Sequence, residues 1–161
     1  MTQRIGVLLD LDQTLVDSSA LKVLRDSRRW EEVYRNVDRV RPYSYAKEFL
    51  IQLKKSQIPY GIVTSAPRRY AELVLRVHDL PIEVVTAFHD TRRHKPAPDP
   101  LLHAMTVMNL HRGIYIGDEE RDRAAAAGAG LEFIEAQHSG SEFFREAWLL
   151  VEKNLARISL G

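Results

Sequence analysis

Carboxylate, hydroxyl and lysine side chains follow the apolar segments of this 161-residue sequence in a regular order. They are Asp10, Asp12 and Thr14 after the first apolar run, Thr64 and Ser65 after the next, Lys95 in a loop, and Asp118 and Asp122 after a later run that ends at Gly117. Taken singly, each is typical of a turn, a helix cap or a solvated loop. Found together, in order and at the ends of apolar runs, they are not explained by helix caps and turns alone, and they indicate a functional site.

Short apolar runs alternate with helical periodicity along the chain, and this alternation predicts the elements that hold those side chains. The predicted strands are residues 4–10, 60–64, 84–88, 113–117 and 131–135. Strands that alternate with helices form a mainly parallel sheet covered on both faces, so we expect an α/β fold, a Rossmann-like three-layer α/β/α sandwich with five strands. Ligands of such sheets bind beyond the carboxyl ends of the strands, where the acidic and hydroxyl residues stand.

Helical spacing of apolar residues predicts the helices of this fold. The stripes are Ala46, Phe49, Leu50 and Leu53; Tyr70, Leu73, Val74 and Val77; Leu101, Ala104, Met105 and Met108; and Phe144, Ala147, Trp148, Val151 and Leu155. Asp99 is expected to cap the helix that begins at Pro100, and an alanine-rich helix is expected to stop at Gly128. Residues 18–41 interrupt the alternation, and the apolar spacing from Trp30 onward indicates that this insert is itself helical.

The four groups of polar residues resemble, in order, the four motifs of the haloacid dehalogenase (HAD) superfamily of Asp-nucleophile phosphotransferases. Asp-x-Asp-x-Thr after an apolar strand matches Asp10, Asp12 and Thr14; a Thr or Ser that closes a strand matches Thr64; Lys followed by Pro matches Lys95; and Gly-Asp-x-x-x-Asp matches Gly117, Asp118 and Asp122. The resemblance covers residues 4–135, and its first and fourth motifs are the most specific.

The resemblance implies a phosphatase mechanism in which Asp10 attacks phosphorus and becomes an aspartyl phosphate. Asp12 would protonate the leaving group and then activate water, and an Asp at this position favours phosphate esters over dehalogenation. Mg²⁺ would be held by Asp10, Asp118 and the main-chain carbonyl of Asp12. The phosphate-binding residues would be Thr64, Ser65 and Lys95, and the supporting residues would be Thr14, Gly117 and Asp122.

The insert is shorter than the four-helix cap that many members of the superfamily carry. We interpret residues 18–41 as a minimal cap within one domain of residues 1–161. A reduced cap predicts a comparatively open site, which suits a phosphorylated small molecule, with a phosphoprotein or a nucleic-acid end as alternatives. A second subunit could also close such a site, so both a monomer and a homodimer are compatible with the sequence.

Composition narrows the class of protein further. The chain has 23 basic and 22 acidic residues and a net charge of +1, so it has no general attraction to nucleic acid or membrane. It has no cysteine, which excludes disulfides, thiolate metal sites and cysteine nucleophiles, and a cytoplasmic location is expected. No apolar run approaches the roughly 20 residues that a membrane helix needs.

Other classes of protein share parts of this pattern. Response-regulator receivers also combine an acidic pocket, a Thr or Ser and a Lys-Pro pair, but their phosphorylated Asp follows the third strand, whereas Asp10 and Asp12 follow the first. A catalytically silent HAD-like module, used for phosphate binding or as a scaffold, would be expected to lack the nucleophile or the metal-binding Asp, and this chain keeps both. A phosphomutase normally needs a larger cap. We therefore expect an active Mg²⁺-dependent phosphomonoester hydrolase.

Overall fold

A five-stranded parallel sheet forms the centre of the computed structural model, which describes residues 2–138 and 142–161. The strands are β1 (Ile5–Leu9), β2 (Val16–Asp17), β3 (Arg41–Pro42), β4 (Tyr60–Val63), β5 (Val85–Thr86), β6 (Arg112–Gly117) and β7 (Glu132–Glu135). The sheet has the order β5-β4-β1-β6-β7, so β1 is its central strand. Strands β2 and β3 form a separate antiparallel pair.

Helices cover both faces of this sheet. They are α1 (Lys22–Asp26), α2 (Trp30–Arg35), α3 (Ala46–Lys55), α4 (Arg68–Val77), α5 (Asp99–Met108), α6 (Glu120–Ala129) and α7 (Phe143–Leu160). Helices α3, α4 and α7 pack on one face and α5 and α6 on the other, which confirms the expected three-layer α/β/α sandwich. Across residues 2–138 and 142–161, no helix combines the length and apolar character that a membrane crossing needs.

The hydrophobic core has two parts, one on each face of the sheet, because successive side chains of the central strand point to opposite faces. Val7 and Leu9 lie in the larger core under α3, α4 and α7, whereas Leu8 lies in the smaller core under α5 and α6. All three side chains are at most 1% exposed. A strand buried on both faces has to be apolar throughout, which is why β1 is recognisable in the sequence as an uninterrupted apolar run.

Two helix ends differ from the expectation. Helix α6 passes through Gly128 and ends at Ala129, because Gly130 adopts the left-handed conformation (φ = 72°) that closes many helices. A Cβ on Gly128 would lie 3.1 Å from Pro98, so this glycine allows close packing and does not end the helix. At the start of α5, Pro98 is the flanking residue and Asp99 is already helical.

The insert of residues 18–41 holds only short elements. It consists of α1, α2 and two 3₁₀ turns, and its two ends are joined where Asp17 of β2 pairs with Arg41 of β3. The insert is helical as expected, but the β2–β3 pair was not predicted because two-residue strands have no readable periodicity. Leu21 and Val33 of the insert are fully buried in the larger core, so the insert packs against the sandwich itself.

Candidate active site

The carboxyl ends of three neighbouring strands bring the predicted site residues together. Asp10 follows β1, Thr64 follows β4 and Asp118 follows β6, while Lys95 reaches the same edge from the loop before α5. Because adjacent strands of a sheet lie about 4.8 Å apart, residues that follow them directly are close in space. The sheet order therefore places the acidic residues around one point.

Lys95 is the centre of a buried polar network at this edge. Its side chain is 1% exposed, and its ammonium donates to Asp122 Oδ1 at 2.7 Å, to the Tyr115 hydroxyl at 2.9 Å and to Asp10 Oδ1 at 3.2 Å. The Tyr115 hydroxyl in turn donates to the main-chain carbonyl of Val63 at 3.0 Å. Burial opposes the charged form of Lys95, but the two carboxylates outweigh it and raise the pKa of the ammonium. The network holds a positive charge beside Asp10.

Asp122 holds the turn between β6 and α6. This residue is fully buried, and its Oδ2 accepts the backbone N–H groups of Asp118 at 3.2 Å and Glu119 at 3.1 Å. Glycine is required at the end of β6, because a Cβ on Gly117 would lie 2.6 Å from the Cβ of Asp122. Both oxygens of Asp122 thus have protein partners, and the residue positions Lys95 and the Asp118 backbone.

Thr14 supports Asp118 from the other side. Its side chain is fully buried, and its hydroxyl donates to Asp118 Oδ1 at 3.2 Å. The two residues are 104 positions apart in the sequence, so this contact joins the loop after β1 to the loop after β6. The orientation of the Asp118 carboxylate is thereby limited.

The electrostatics of these carboxylates favour a bound cation. Burial raises the pKa of Asp10 to about 8, with Lys95 opposing the shift and Asp122, Asp12 and Asp118 adding to it. Burial also raises the pKa of Asp118. Oxygen atoms of Asp10, Asp118 and Asp122, one from each, lie within 4.8 Å of one another. Since the oxygens of Asp122 are engaged elsewhere, Asp10 and Asp118 are the carboxylates that fit Mg²⁺, whose remaining positions are commonly filled by carbonyl oxygens and water.

Asp12 lines the same cavity as Asp10, and its carboxylate contacts the insert and α4. Its Oδ2 accepts a hydrogen bond from Arg25 Nη2 of α1 at 2.8 Å, and its Oδ1 accepts one from the hydroxyl of Tyr70 on α4 at 2.5 Å. Arg25 Nη1 also donates to Ser18 Oγ at 2.9 Å. The Asp12 side chain is 13% exposed, so it is close to solvent but fixed by two donors.

A cavity of about 490 Å³ joins the strand ends to the insert. Asp10, Asp12, Thr64 and Ser65 line one side of it, and the opposite side is lined by Ser18, Ser19, Lys22, Arg25, Asp26 and Trp30 of the insert. Thr64 is buried, and its Oγ1 accepts the backbone N–H of Ala66 at 3.1 Å, which orders the turn after β4. The insert therefore forms a wall of the site, and the cavity has the size of a typical small-molecule pocket.

The structure brings every predicted site residue to this edge, and Tyr115, Tyr70 and Arg25, which hydrogen-bond to its charged side chains, were not predicted as part of it. Tyr115 appears in the sequence as one residue of a buried strand, and Tyr70 as one residue of a helical stripe. Arg25 stands in the insert without any motif around it. The only sequence signal for the two tyrosines is a hydroxyl within an otherwise apolar buried pattern, since a buried hydroxyl needs a partner.

Comparison with known proteins gives the family of the chain. The family model described as haloacid dehalogenase-like hydrolase matches residues 20–136. The N-acetylmuramic acid 6-phosphate phosphatase of Pseudomonas aeruginosa is 34% identical over 97 residues, which cover 57% of this chain and 42% of that protein. Pyrophosphatase PpaX of Bacillus thuringiensis is 28% identical over 132 residues, which cover 80% of this chain and 61% of that protein. The chain thus spans about half the length of these curated relatives.

The solved structures show the same fold. A HAD-superfamily hydrolase from Ehrlichia chaffeensis superposes with a TM-score of 0.75 at 20% sequence identity, over 96% of this chain and 99% of that one. At this identity the similarity establishes the fold, while the family follows from the matched residues 20–136. The chain belongs to the haloacid dehalogenase-like hydrolases.

Proposed function

We propose that the chain is a Mg²⁺-dependent phosphomonoester hydrolase that acts through an aspartyl phosphate on Asp10. The observation that carries the proposal is the position of Asp10, which lines the cavity and lies 3.2 Å from the buried ammonium of Lys95, with Asp12 two residues further along. A carboxylate is repelled by a phosphate dianion, so an attacking aspartate needs positive charge at its side. The phosphatase names of the relatives are consistent with this chemistry.

In the first step of the proposed reaction, a carboxylate oxygen of Asp10 attacks phosphorus. The bond between phosphorus and the ester oxygen breaks, and the leaving oxygen keeps the electron pair and takes a proton from Asp12. The products are the free alcohol and an aspartyl phosphate on Asp10. Lys95 stays hydrogen-bonded to Asp10 and keeps a positive charge beside the nucleophile.

In the second step, Asp12 is a carboxylate and accepts a proton from a water molecule. The water oxygen attacks phosphorus, and the bond between phosphorus and the Asp10 oxygen breaks, which releases inorganic phosphate and restores both carboxyl groups. One residue therefore supplies and recovers the proton, so the cycle needs no other acid or base.

Mg²⁺ and the phosphate would be held by the residues that the strand ends provide. Asp10, Asp118 and the main-chain carbonyl of Asp12 would hold Mg²⁺, which neutralises charge on the phosphoryl oxygens when it is bound. The Thr64 hydroxyl, Ser65 and the backbone N–H groups of this turn would bind phosphate oxygens. These groups lie on rigid strand ends, and Thr14, Gly117 and Asp122 support them through the contacts described above.

We propose a phosphorylated small molecule as the substrate class. The insert lines one wall of the cavity, and its volume of about 490 Å³ lies in the range of small-molecule pockets. The sequence-based alternatives, a phosphoprotein or a nucleic-acid end, would have to present the phosphate through the mouth of this cavity. They are tested by comparing turnover of small monoesters with turnover of phosphopeptides and 5′-phosphorylated oligonucleotides.

Hydrolysis of p-nitrophenyl phosphate with and without Mg²⁺ tests the proposed function. Turnover is expected only with the metal, and Asp10→Asn should abolish it. Asp79→Asn is the matched control, because Asp79 is an exposed partner of Lys47 away from the cavity, and this variant should retain full activity. Turnover that survives Asp10→Asn would contradict the assignment of Asp10 as the nucleophile. A folded chain that binds Mg²⁺ but hydrolyses no ester in a broad panel would instead be the silent phosphate-binding module.

A further inference from the structure

We propose that Arg25, carried by the insert, is a positioning residue that orients Asp12 for the hydrolysis of the phosphoenzyme. This inference rests on the proposed function, because it assigns Arg25 a part in the second step of that reaction. Arg25 belongs to none of the four motifs, and it lies in a segment whose sequence shows only that it is helical.

Arg25 is held in one orientation by three contacts. Its Nη2 lies 2.8 Å from Asp12 Oδ2, its Nη1 lies 2.9 Å from Ser18 Oγ, and its guanidinium carbon lies 5.0 Å from the centre of the Tyr70 ring. The side chain is 23% exposed, and that of Asp12 is 13% exposed. An arginine–carboxylate pair that is largely removed from water is a firm contact, in contrast to the mobile pairs of a protein surface.

Tyr70 completes the arrangement from the opposite side. Its hydroxyl donates to Asp12 Oδ1 at 2.5 Å, and burial together with the neighbouring Asp12 raises the pKa of the phenol, so it stays a donor. Each oxygen of Asp12 therefore accepts one hydrogen bond, one from the insert and one from α4. The rotation of the carboxylate about its terminal bond is restricted by both donors.

This orientation is suited to the second step more than to the first. Two donors on a carboxylate orient it as a hydrogen-bond acceptor, and an acceptor is what a water molecule needs when it gives up a proton. Proton donation to the leaving group requires the other form of Asp12 and is not needed when the leaving group is already acidic. A defect at Arg25 should therefore appear in phosphoenzyme hydrolysis while the transfer from an activated ester is spared.

The test measures the two steps separately in quenched-flow experiments with p-nitrophenyl phosphate and Mg²⁺. Phosphorylation is followed by nitrophenolate release in the first turnover, and hydrolysis by the decay of acid-stable phosphoprotein after the ester is removed. Arg25→Met should slow hydrolysis about tenfold or more and change phosphorylation less than about threefold. Arg25→Lys should recover part of the hydrolysis rate, because the ammonium can still reach one oxygen of Asp12.

A double-mutant cycle separates positioning from a general structural role. Once Asp12→Asn has removed the base, Arg25→Met should lower the hydrolysis rate less than about twofold further. Arg35→Met is the matched control in the same insert, since Arg35 is exposed and its Nε donates to the main-chain carbonyl of Glu31 on its own helix. Both rates should stay at the wild-type value.

Two results would overturn the inference, and they differ from failure of the proposed function. Equal loss in both steps, or an Arg25→Met effect that persists in the Asp12→Asn background, would mean that Arg25 binds substrate or supports the fold. If the wild-type chain forms no phosphoprotein and shows no Asp10-dependent turnover, the proposed function itself fails, and the role of Arg25 fails with it.

Discussion

At the scale of single residues, the site is defined by an excess of negative charge. Oxygen atoms of Asp10, Asp118 and Asp122 lie within 4.8 Å of one another, and the ammonium of Lys95 contacts Asp10 and Asp122. The side chains of Lys95 and Asp122 are at most 1% exposed. Buried charges are tolerated only when they are paired and hydrogen-bonded. The ammonium of Lys95 pairs with Asp122 at 2.7 Å and with Asp10 at 3.2 Å, so one positive charge is shared between two carboxylates. The remaining negative charge on Asp10 and Asp118 requires either a proton or a cation.

Lys95→Met should destabilise the fold as well as stop turnover. The substitution leaves Asp122 buried without its cation, and breaking a buried pair by removing one partner costs about 3–5 kcal/mol. Urea unfolding in metal-free buffer measures this loss. Lys22→Met is the matched control, because the Lys22–Asp26 pair is exposed and its removal should cost less than about 1 kcal/mol. Similar stability of the two variants would contradict the role of Lys95 as a structural cation.

Mg²⁺ affinity should rise with pH. Burial holds the pKa of Asp10 at about 8 against an ordinary value of 3.8, so in the metal-free chain a proton occupies the site in neutral solution. Metal binding must displace that proton, and the affinity should increase up to about tenfold per pH unit from pH 6 and level off above the raised pKa. Titration calorimetry in buffers of different ionisation enthalpy measures both the affinity and the proton release.

The Asp10→Asn variant provides the control for this pH dependence. Without the titrating carboxyl, Mg²⁺ should bind more weakly and with a flatter pH profile. The raised pKa of Asp10 also affects the stability of the metal-free fold. Because the folded chain holds this proton more tightly than the unfolded chain, the contribution to stability is full below pH 4 and is lost as the pH rises toward 8. A wild-type affinity that is constant between about pH 6 and 8 would contradict the protonated site.

At the scale of elements, the insert is part of the sandwich and not a detached lid. Leu21 and Val33 are fully buried within the larger core, the β2–β3 pair joins the ends of the insert, and α2 packs against α4. Arg25 and Tyr70 add a polar contact between the same two regions through Asp12. The insert is therefore expected to unfold together with the domain.

Leu21→Ala tests this coupling between the insert and the core. Removing a fully buried leucine side chain typically costs about 2–5 kcal/mol, and here the loss should appear in the single global transition. Val23→Ala in the same insert is the control, since Val23 is 76% exposed and should change stability by less than about 0.5 kcal/mol. A local, low-stability unfolding of the insert in hydrogen exchange, with global stability unchanged by Leu21→Ala, would show a separate lid.

The sequence predicts the sheet better than the insert, for physical reasons. Strands buried on both faces are apolar runs, and the charged residues that follow them mark the edge where the site lies. The hydrogen bonds around Asp12 are harder to predict from the sequence. Arg25 and Tyr70 are 13 and 58 positions away from Asp12, and only the folding of α1 and α4 brings them close to it. The ends of helices are also hard to predict from the sequence, because they depend on backbone conformation. Helix α6 ends before Gly130, which is left-handed, and not at Gly128.

At the scale of the whole molecule, two hydrophobic cores flank the sheet, and the insert lines one wall of the cavity at the carboxyl edge of the strands. The five parallel strands place their carboxyl ends at one side, and the cavity of about 490 Å³ lies between that side and the insert. If small phosphate esters bind in this space as proposed, their discrimination would depend on the insert wall, which includes Lys22 and Trp30. In the proposed reaction, the strand ends would supply the reacting groups, while the insert would set specificity and, through Arg25, orient Asp12.

The most direct test of the account is the site of phosphorylation during turnover. The chain would be quenched in acid while it hydrolyses p-nitrophenyl phosphate in the presence of Mg²⁺, and its peptides examined by mass spectrometry. One phosphoryl group is expected, attached to Asp10, and it should be absent without Mg²⁺ and in Asp10→Asn. Turnover without any phosphorylated peptide, or with the phosphoryl group on another residue, would contradict the proposed mechanism.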